Sequence, residues 1–393
     1  MCYGAFGFSR IGDVVTSSLN ILHIYRAPVG GLFRHVLDLA RAQIARGHRV
    51  GMVADSLTGG ATADAVLHEL EPSLALGLTR IPMRRHIGPG DLSTFLHVTR
   101  RLSETKADIA HGHGAKGGAF ARMALGSRGA LRAYTPHGGS LLYSHDTLSG
   151  KFYLASEHVL MLRGDLFLFE SAYSAEIFRR KIGAPKGLVR IVHNGVTRAE
   201  FEPIATAPES TDLVFIGELR PVKGINFLID AIALLKRAGR DVSATLVGEG
   251  PSRPVIEAQV ARLGLSSLVR FAGAMPARRA QTLGRIMVIP SLAESLPYVV
   301  LETAAAGMPL ITTKVGGIPE IYGPLSDRLV PPQDPGALAE AIAQTLDRPM
   351  ATAALAAALR DRVAQSFSVD TMVEGVLTAY RDGLERLRVN GRR

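Results

Sequence analysis

The sequence predicts two α/β units, each a doubly wound parallel sheet with helices on both faces. Short apolar runs alternate with segments of helical period along almost the whole chain. The alternation stops at a stretch rich in Pro, Ala, Ser and Thr around residues 202–212 and then restarts. A length of 393 residues is enough for two domains.

Taken in order, residues 1–19 show no periodicity and read as a loosely held extension. Ile21, Leu22, Ile24 and Tyr25 form a first strand, and the loop Ala27-Pro28-Val29-Gly30-Gly31 follows. Leu32, Phe33, Val36, Leu37, Ala40 and Ile44 then recur at helical spacing, with Gly47 as a stop. Further strands are expected at Val50 to Ala54, near Ile109, near Ala133, at Leu166 to Phe169 and at Val189 to Val192. The second unit should hold strands at Leu213 to Ile216, Ala244 to Val247, Val269 to Ala272, Ile286 to Ile289, Leu310 to Thr313 and Asp327 to Val330. Helical patterns fall at 225–237, 253–263, 298–306, 335–347, 351–365 and 371–388. The domains are accordingly 20–200 and 213–370, with 201–212 as linker and 371–393 as a closing segment. Such sheets bind ligands beyond the carboxyl ends of their strands, so two facing units place a cleft between them.

Composition narrows the classes. Charged residues are 20% and hydrophobic ones 47%, which argues against disorder. No apolar stretch approaches the ~20 residues of a membrane span, and no secretory leader is apparent. The single cysteine, Cys2, excludes an internal disulfide framework and fits a reducing cytoplasm. Residues 1–200 carry 24 Lys and Arg against 15 Asp and Glu, whereas 201–393 carry 21 against 20. The first half therefore suits an acidic ligand or an anionic membrane surface, or carries a solvated charge bias with no partner. Basic stripes interleaved with aromatics are absent, so no nucleic acid is expected. The segments 119–132 and 151–163 mix apolar and cationic side chains; each is either a packing helix or a surface that lies on a membrane.

Chemistry concentrates in three places. Glu294 and Glu302 flank the start of a helix at Pro297, where their carboxylates can accept hydrogen bonds from a sugar or ribose diol, or complement the helix dipole. Arg220 and Lys223 lie at another helix start, where cations are unfavourable unless an anion such as a diphosphate is present. His137, in Thr135-Pro136-His137-Gly138-Gly139-Ser140, follows a strand, as does His111-Gly112-His113. Two histidines without a third, carboxylate ligand nearby make a poor metal site, so no metal is expected.

These pieces, in this order, resemble the retaining nucleotide-sugar glycosyltransferases of family 4, which have the GT-B fold. The resemblance spans roughly residues 20–385. It rests on the E-x7-E motif from Glu294 to Glu302, on Gly217-Glu218-Leu219-Arg220-Pro221-Val222-Lys223-Gly224, on His193-Asn194-Gly195-Val196, and on Thr313-Lys314-Val315-Gly316-Gly317-Ile318-Pro319-Glu320. The resemblance implies that the first unit binds acceptor and the second binds donor, with the last helix crossing back to the first. It implies that Glu302 holds the donor ribose, that Glu294 faces the transferred sugar and the departing diphosphate, and that Arg220 and Lys223 neutralise that diphosphate. Gly30 and Gly31 approach the diphosphate or acceptor across the cleft, and His137 positions the transferred sugar. His113 and Gly138 are acceptor-side candidates. Where the family often has Gly-Phe-Gly, this chain has Ser295-Leu296-Pro297, so the donor contacts of Ser295 and Leu296 differ from the family's.

The implied activity is transfer of a sugar from a nucleotide diphosphate to a glycan or lipid-linked acceptor, in bacterial surface polysaccharide or lipopolysaccharide assembly. No cofactor is required. The expected location is the cytoplasm, with contact at the inner face of the membrane. The alternatives are a nucleotide-sugar epimerase on the same scaffold and a non-catalytic glycan- or nucleotide-binding protein.

Overall fold

In the computed structural model, which describes residues 18–125, 129–139 and 143–391, the first apolar run is strand β1 (Asn20–Tyr25). The first unit continues with α1 (Gly30–Ala45), β2 (Arg49–Asp55), α2 (Gly60–Leu70), β3 (Leu78–Ile81), α3 (Gly90–Thr105), β4 (Ile109–His113), α4 (Gly114–Met123), β5 (Leu131–Thr135), α5 (Leu148–Met161), β6 (Leu166–Phe169), α6 (Ala172–Lys181) and β7 (Leu188–Ile191). The second contains β8 (Thr211–Ile216), α7 (Ile225–Arg237), β9 (Ala244–Val247), α8 (Arg253–Arg262), β10 (Val269–Gly273), α9 (Ala277–Gln281), β11 (Gly284–Ile289), α10 (Tyr298–Ala305), β12 (Leu310–Thr312), α11 (Ile318–Tyr322), α12 (Pro335–Asp347) and α13 (Pro349–Ser366). The closing helix is α14 (Val369–Val389).

Both sheets are parallel. Their strand orders are β3-β2-β1-β4-β5-β6-β7 and β10-β9-β8-β11-β12. The order reverses between β1 and β4 in the first sheet and between β8 and β11 in the second. Loops leaving those four strands therefore line the crevice where such sheets take ligands. The central strands are buried because helices cover both faces, and most of their side chains are apolar: Ile21, Leu22, Val288 and Leu246 are fully buried. Helix α14 buries Met372, Val373, Val376, Leu377 and Tyr380 in the core of the first unit, against Leu19, Ile21, Leu131 and Leu168. The last helix in sequence is thus part of the first unit's core.

The structure departs from the sequence expectations in three places. Strand β3 was not anticipated: its Leu-Thr-Arg-Ile pattern is too short and too polar to stand out. The run Asp327 to Val330 is not a strand. Gly323 and Pro324 start a 3-10 turn that lasts to Arg328, and only Val330 bridges to Thr313. Strand β8 begins at Thr211, inside the expected linker, because the Thr211 hydroxyl and Asp212 carboxylate are anchored to Thr245 and Ser243. In segment 119–132, residues 119–123 end the packing helix α4, the first of the two readings given above. Phe120, Ala121 and Ala124 are buried, and Arg122 is fully enclosed with its guanidinium 2.6 Å from Glu157 and 3.8 Å from the Tyr134 ring centroid. The expected extension up to residue 17, and Gly126 to Arg128, lie outside the described residues. No helix among the described residues is long and apolar enough to cross a membrane.

Candidate active site

The second unit's share of the cleft is built by the loops after β8 and β11. The chain leaves β8 through Glu218-Leu219-Arg220, makes a 3-10 turn at Pro221–Lys223 and enters α7 over Gly224. Gly224 has φ +64°, and a Cβ there would stand 2.0 Å from the Pro290 carbonyl oxygen, so no larger residue fits between the two loops. The close approach is fixed by the Leu292 N–H donating to Val222 O (2.8 Å). It brings Lys223 Nζ to 2.6 Å from Glu294 Oε1, which also accepts from Ser291 Oγ at 2.7 Å. Arg220 is about half exposed, and its only described ion pair is a loose one to Glu218 at 3.5 Å.

Glu302 lies one turn inside α10 and takes a different partner from Glu294. Its carboxylate pairs with Arg34 of α1, across the domain junction. Arg34 also reaches Glu200 (2.6 Å) and Asp38 (3.3 Å), and its guanidinium lies over the Tyr298 ring at 4.6 Å. The two carboxylates of the motif thus face separate cations, because α10 turns Glu302 toward the first unit. Gly31 lets that helix come close, since its Cβ position is 3.3 Å from the Tyr298 ring. Gly30 opens α1 with φ +62° and has free space beside it.

Further contacts close the junction, and sequence reasoning missed them. Ser295 Oγ donates to Glu170 Oε1 (3.0 Å) and bonds to Ser174. Gly138 stands beside it, its Cβ position 3.7 Å from that of Ser295. The Leu296 side chain is buried in the second unit's core and its carbonyl accepts from Asn194 Nδ2 (2.8 Å), so its backbone N–H is what it can offer a ligand. Asn194 Oδ1 bonds His35 Nδ1 (3.0 Å). Glu320 accepts the N–H groups of Ala172 and Tyr173 at the start of α6, both at 2.9 Å, and pairs with His193 at 3.0 Å. Burial alone would raise the Glu320 carboxyl, yet the His193 and backbone hydrogen bonds outweigh it and hold it below the usual range.

The first unit contributes five histidines packed ring against ring. In the β1–β4 register His23 lies beside His111, and alternation sends His111 and His113 to the same face. Helix α1 lays His35 over them, and His137 joins from the loop after β5, with φ +51°. Ring centroids are 3.9 Å apart for His111–His113 and 4.7 Å for His35–His137. Burial pushes His23 and His35 down to about 4 and holds His111, His113 and His137 well below the ordinary imidazole value. His113 was expected to border the acceptor cleft. It is instead enclosed beneath His137, because it ends a central strand covered by α1.

Two overlapping triplets, His23/His111/His113 and His35/His113/His137, bring ring nitrogens within 4.8 Å of one another and form the one arrangement among the described residues suited to a transition metal. Both nitrogens of His23, His111 and His113 are already engaged with protein partners. No sequence signal announces the cluster beyond the pair His111 and His113, since its members lie up to 114 positions apart (His23 to His137).

Comparison with known proteins agrees with this geometry. Residues 29–200 match the family described as Glycosyltransferase Family 4, and residues 210–348 match the one described as Glycosyl transferases group 1. A glycogen synthase of Mycobacterium tuberculosis is 24% identical over 387 residues, covering 90% of this chain and 91% of the relative. A D-inositol 3-phosphate glycosyltransferase of Saccharomonospora viridis is 27% identical, covering 78% of each. Among solved structures, Anabaena HepE in complex with UDP and glucose superposes with a TM-score of 0.76 at 20% identity, over 93% of this chain and 100% of that one.

Proposed function

The chain belongs to the family 4 and group 1 glycosyltransferases, and from that premise we propose that it transfers a sugar, with retention, from a nucleotide diphosphate sugar to a hydroxyl of a glycan or lipid-linked acceptor. The carrying observation is the Lys223–Glu294 pair at 2.6 Å, at the switch point of the second sheet and next to the exposed Arg220. A diphosphate entering there meets two cations, one of which can exchange its carboxylate partner for phosphate oxygens. As the glycosidic bond breaks, negative charge grows on the leaving diphosphate, and Arg220 and Lys223 lower that barrier by holding it. Glu294, released from Lys223, is then free to accept sugar hydroxyls. Closure of the two units excludes water from the reacting centre.

Charge neutralisation by these two side chains takes the place of a divalent ion. On the acceptor side, a hollow of about 760 Å³ between Ile81 and His97 is lined by Arg84, Arg85, His86 and Ile87, which suits an acidic acceptor group next to an apolar one. Bacterial surface polysaccharide or lipopolysaccharide assembly fits such a substrate. The outer face of α5, with exposed Leu148, Phe152 and Val159, offers a contact with an anionic membrane. Flotation with anionic vesicles at low salt and none with neutral ones is expected.

The primary test is thermal stabilisation by UDP, GDP, ADP and their sugar conjugates, with Lys223→Ala and Glu302→Ala alongside. Saturation at 100 times Kd should add ~2.7 kcal/mol to stability. A shift with one nucleotide, lost in Lys223→Ala, supports the donor site; no shift with any nucleotide refutes it.

A further inference from the structure

His137 is the last link of a buried hydrogen-bonded line. Gln43 Oε1 lies 2.8 Å from His23 Nε2, His23 Nδ1 lies 2.9 Å from His113 Nε2, and His113 Nδ1 lies 3.1 Å from His137 Nε2. Gln43 and His35 are eight residues apart on α1 and face the same side, so one helix holds both ends of the cluster. A neutral imidazole has one donor nitrogen and one acceptor nitrogen. An amide oxygen at the head makes His23 Nε2 the donor and leaves His23 Nδ1 to accept. His113 then donates through Nε2 and accepts at Nδ1, and His137 donates through Nε2. Gln43 Nε2 has no hydrogen-bond partner among the described residues, and the one imidazole nitrogen of the line left over is His137 Nδ1. It is 3.9 Å from Glu170 Oε1, beyond hydrogen-bond reach, and makes no hydrogen bond among the described residues.

We propose that Gln43, His23 and His113 are positioning residues that fix His137 as the tautomer protonated on Nε2, so that its Nδ1 presents a lone pair to a hydroxyl in the cleft. The assignment of that hydroxyl to a sugar rests on the function proposed above; the tautomer does not. Turning the Gln43 amide over would place a donor at the head and reverse every link, ending with a proton on His137 Nδ1. The line therefore takes its polarity from a side chain three links away. The titratable groups packed around it are His35 of α1, His111 of β4, Glu170 after β6, Tyr298 of α10 and Tyr380 of α14. None of them donates to His113 or His137 in place of the line.

The test is the ¹⁵N spectrum of the full chain labelled in histidine, at pH 7, with His137 assigned from a His137→Asn variant. Wild type should show His137 protonated at Nε2 and bare at Nδ1. Gln43→Leu should lose that signature, and its kcat should fall about tenfold with little change in donor KM, the worth of one hydrogen bond. Gln43→Glu keeps an acceptor at the head and should restore both. A wild-type His137 carrying its proton on Nδ1 overturns the proposal without any variant. So does a folded Gln43→Leu whose His137 signals are unchanged. If the tautomer is found but no nucleotide stabilises the chain, the relay stands and the transferase reading of the cleft fails.

Discussion

Lowering the pH from 7 to 5 should strip the protein of much of its stability through the buried histidines. In the unfolded chain each imidazole titrates near 6.5, whereas burial holds the folded His23 and His35 at about 4. Between these values the unfolded state binds more protons than the native state, so stability falls as the pH falls. For a group displaced from 6.5 to 4, the loss from pH 7 to pH 5 is about 2 kcal/mol. His23 and His35 together therefore cost about 4 kcal/mol over that interval. His111, His113 and His137 are displaced in the same direction and add to the loss. Glu170 and Asp38, whose carboxyls burial pushes up, act in the opposite sense, but they are two groups against six, since burial also lowers His48. Set against a total stability of roughly 5–15 kcal/mol, the first unit should approach unfolding near pH 5.

Urea titration followed by far-UV circular dichroism at the two pH values measures the loss; with no tryptophan in the chain, fluorescence would report little. Hydrogen exchange should place the weakened amides in the first unit, since all twelve histidines lie at or before His193. Equal stability at pH 7 and pH 5 would refute the reasoning, because it would mean that the packed imidazoles titrate as free ones do.

Three further outcomes follow from the geometry. Arg122→Ala leaves Glu157 enclosed without its cation and should cost about 3–5 kcal/mol, whereas Arg122→Met with Glu157→Met should cost far less; equal losses in urea unfolding would show that the charges themselves are not the issue. Gly224→Ala forces a Cβ toward the Pro290 carbonyl at positive φ, so it should lower the melting temperature and abolish nucleotide stabilisation together; retention of the nucleotide shift would mean that the loop pairing is dispensable. Arg34→Gln removes the cation shared by Asp38, Glu200 and Glu302 and should cost about 1–3 kcal/mol at pH 7, a loss that shrinks as acid neutralises the carboxylates; a pH-independent effect in the same unfolding assay would contradict this.

The two units, most strands and the three chemistry-bearing loops were legible in the sequence because each leaves a local trace. Burial on both faces leaves strands as short apolar runs and helices with a period of 3.6, and a tight turn beside a ligand demands particular residues at fixed offsets. Lys223 and Glu294 could be singled out in this way, though not their direct pairing. What the tertiary structure alone decided is long-range. Sheet order sets β1 beside β4 with two strands skipped, and this makes neighbours of His23 and His113, 90 positions apart. The packing of α10 on α1 gives Glu302 to Arg34, 268 positions away. The return of α14 places Tyr380 against His111. No periodicity encodes such meetings, because a side chain's pattern of burial records that it is covered and not what covers it.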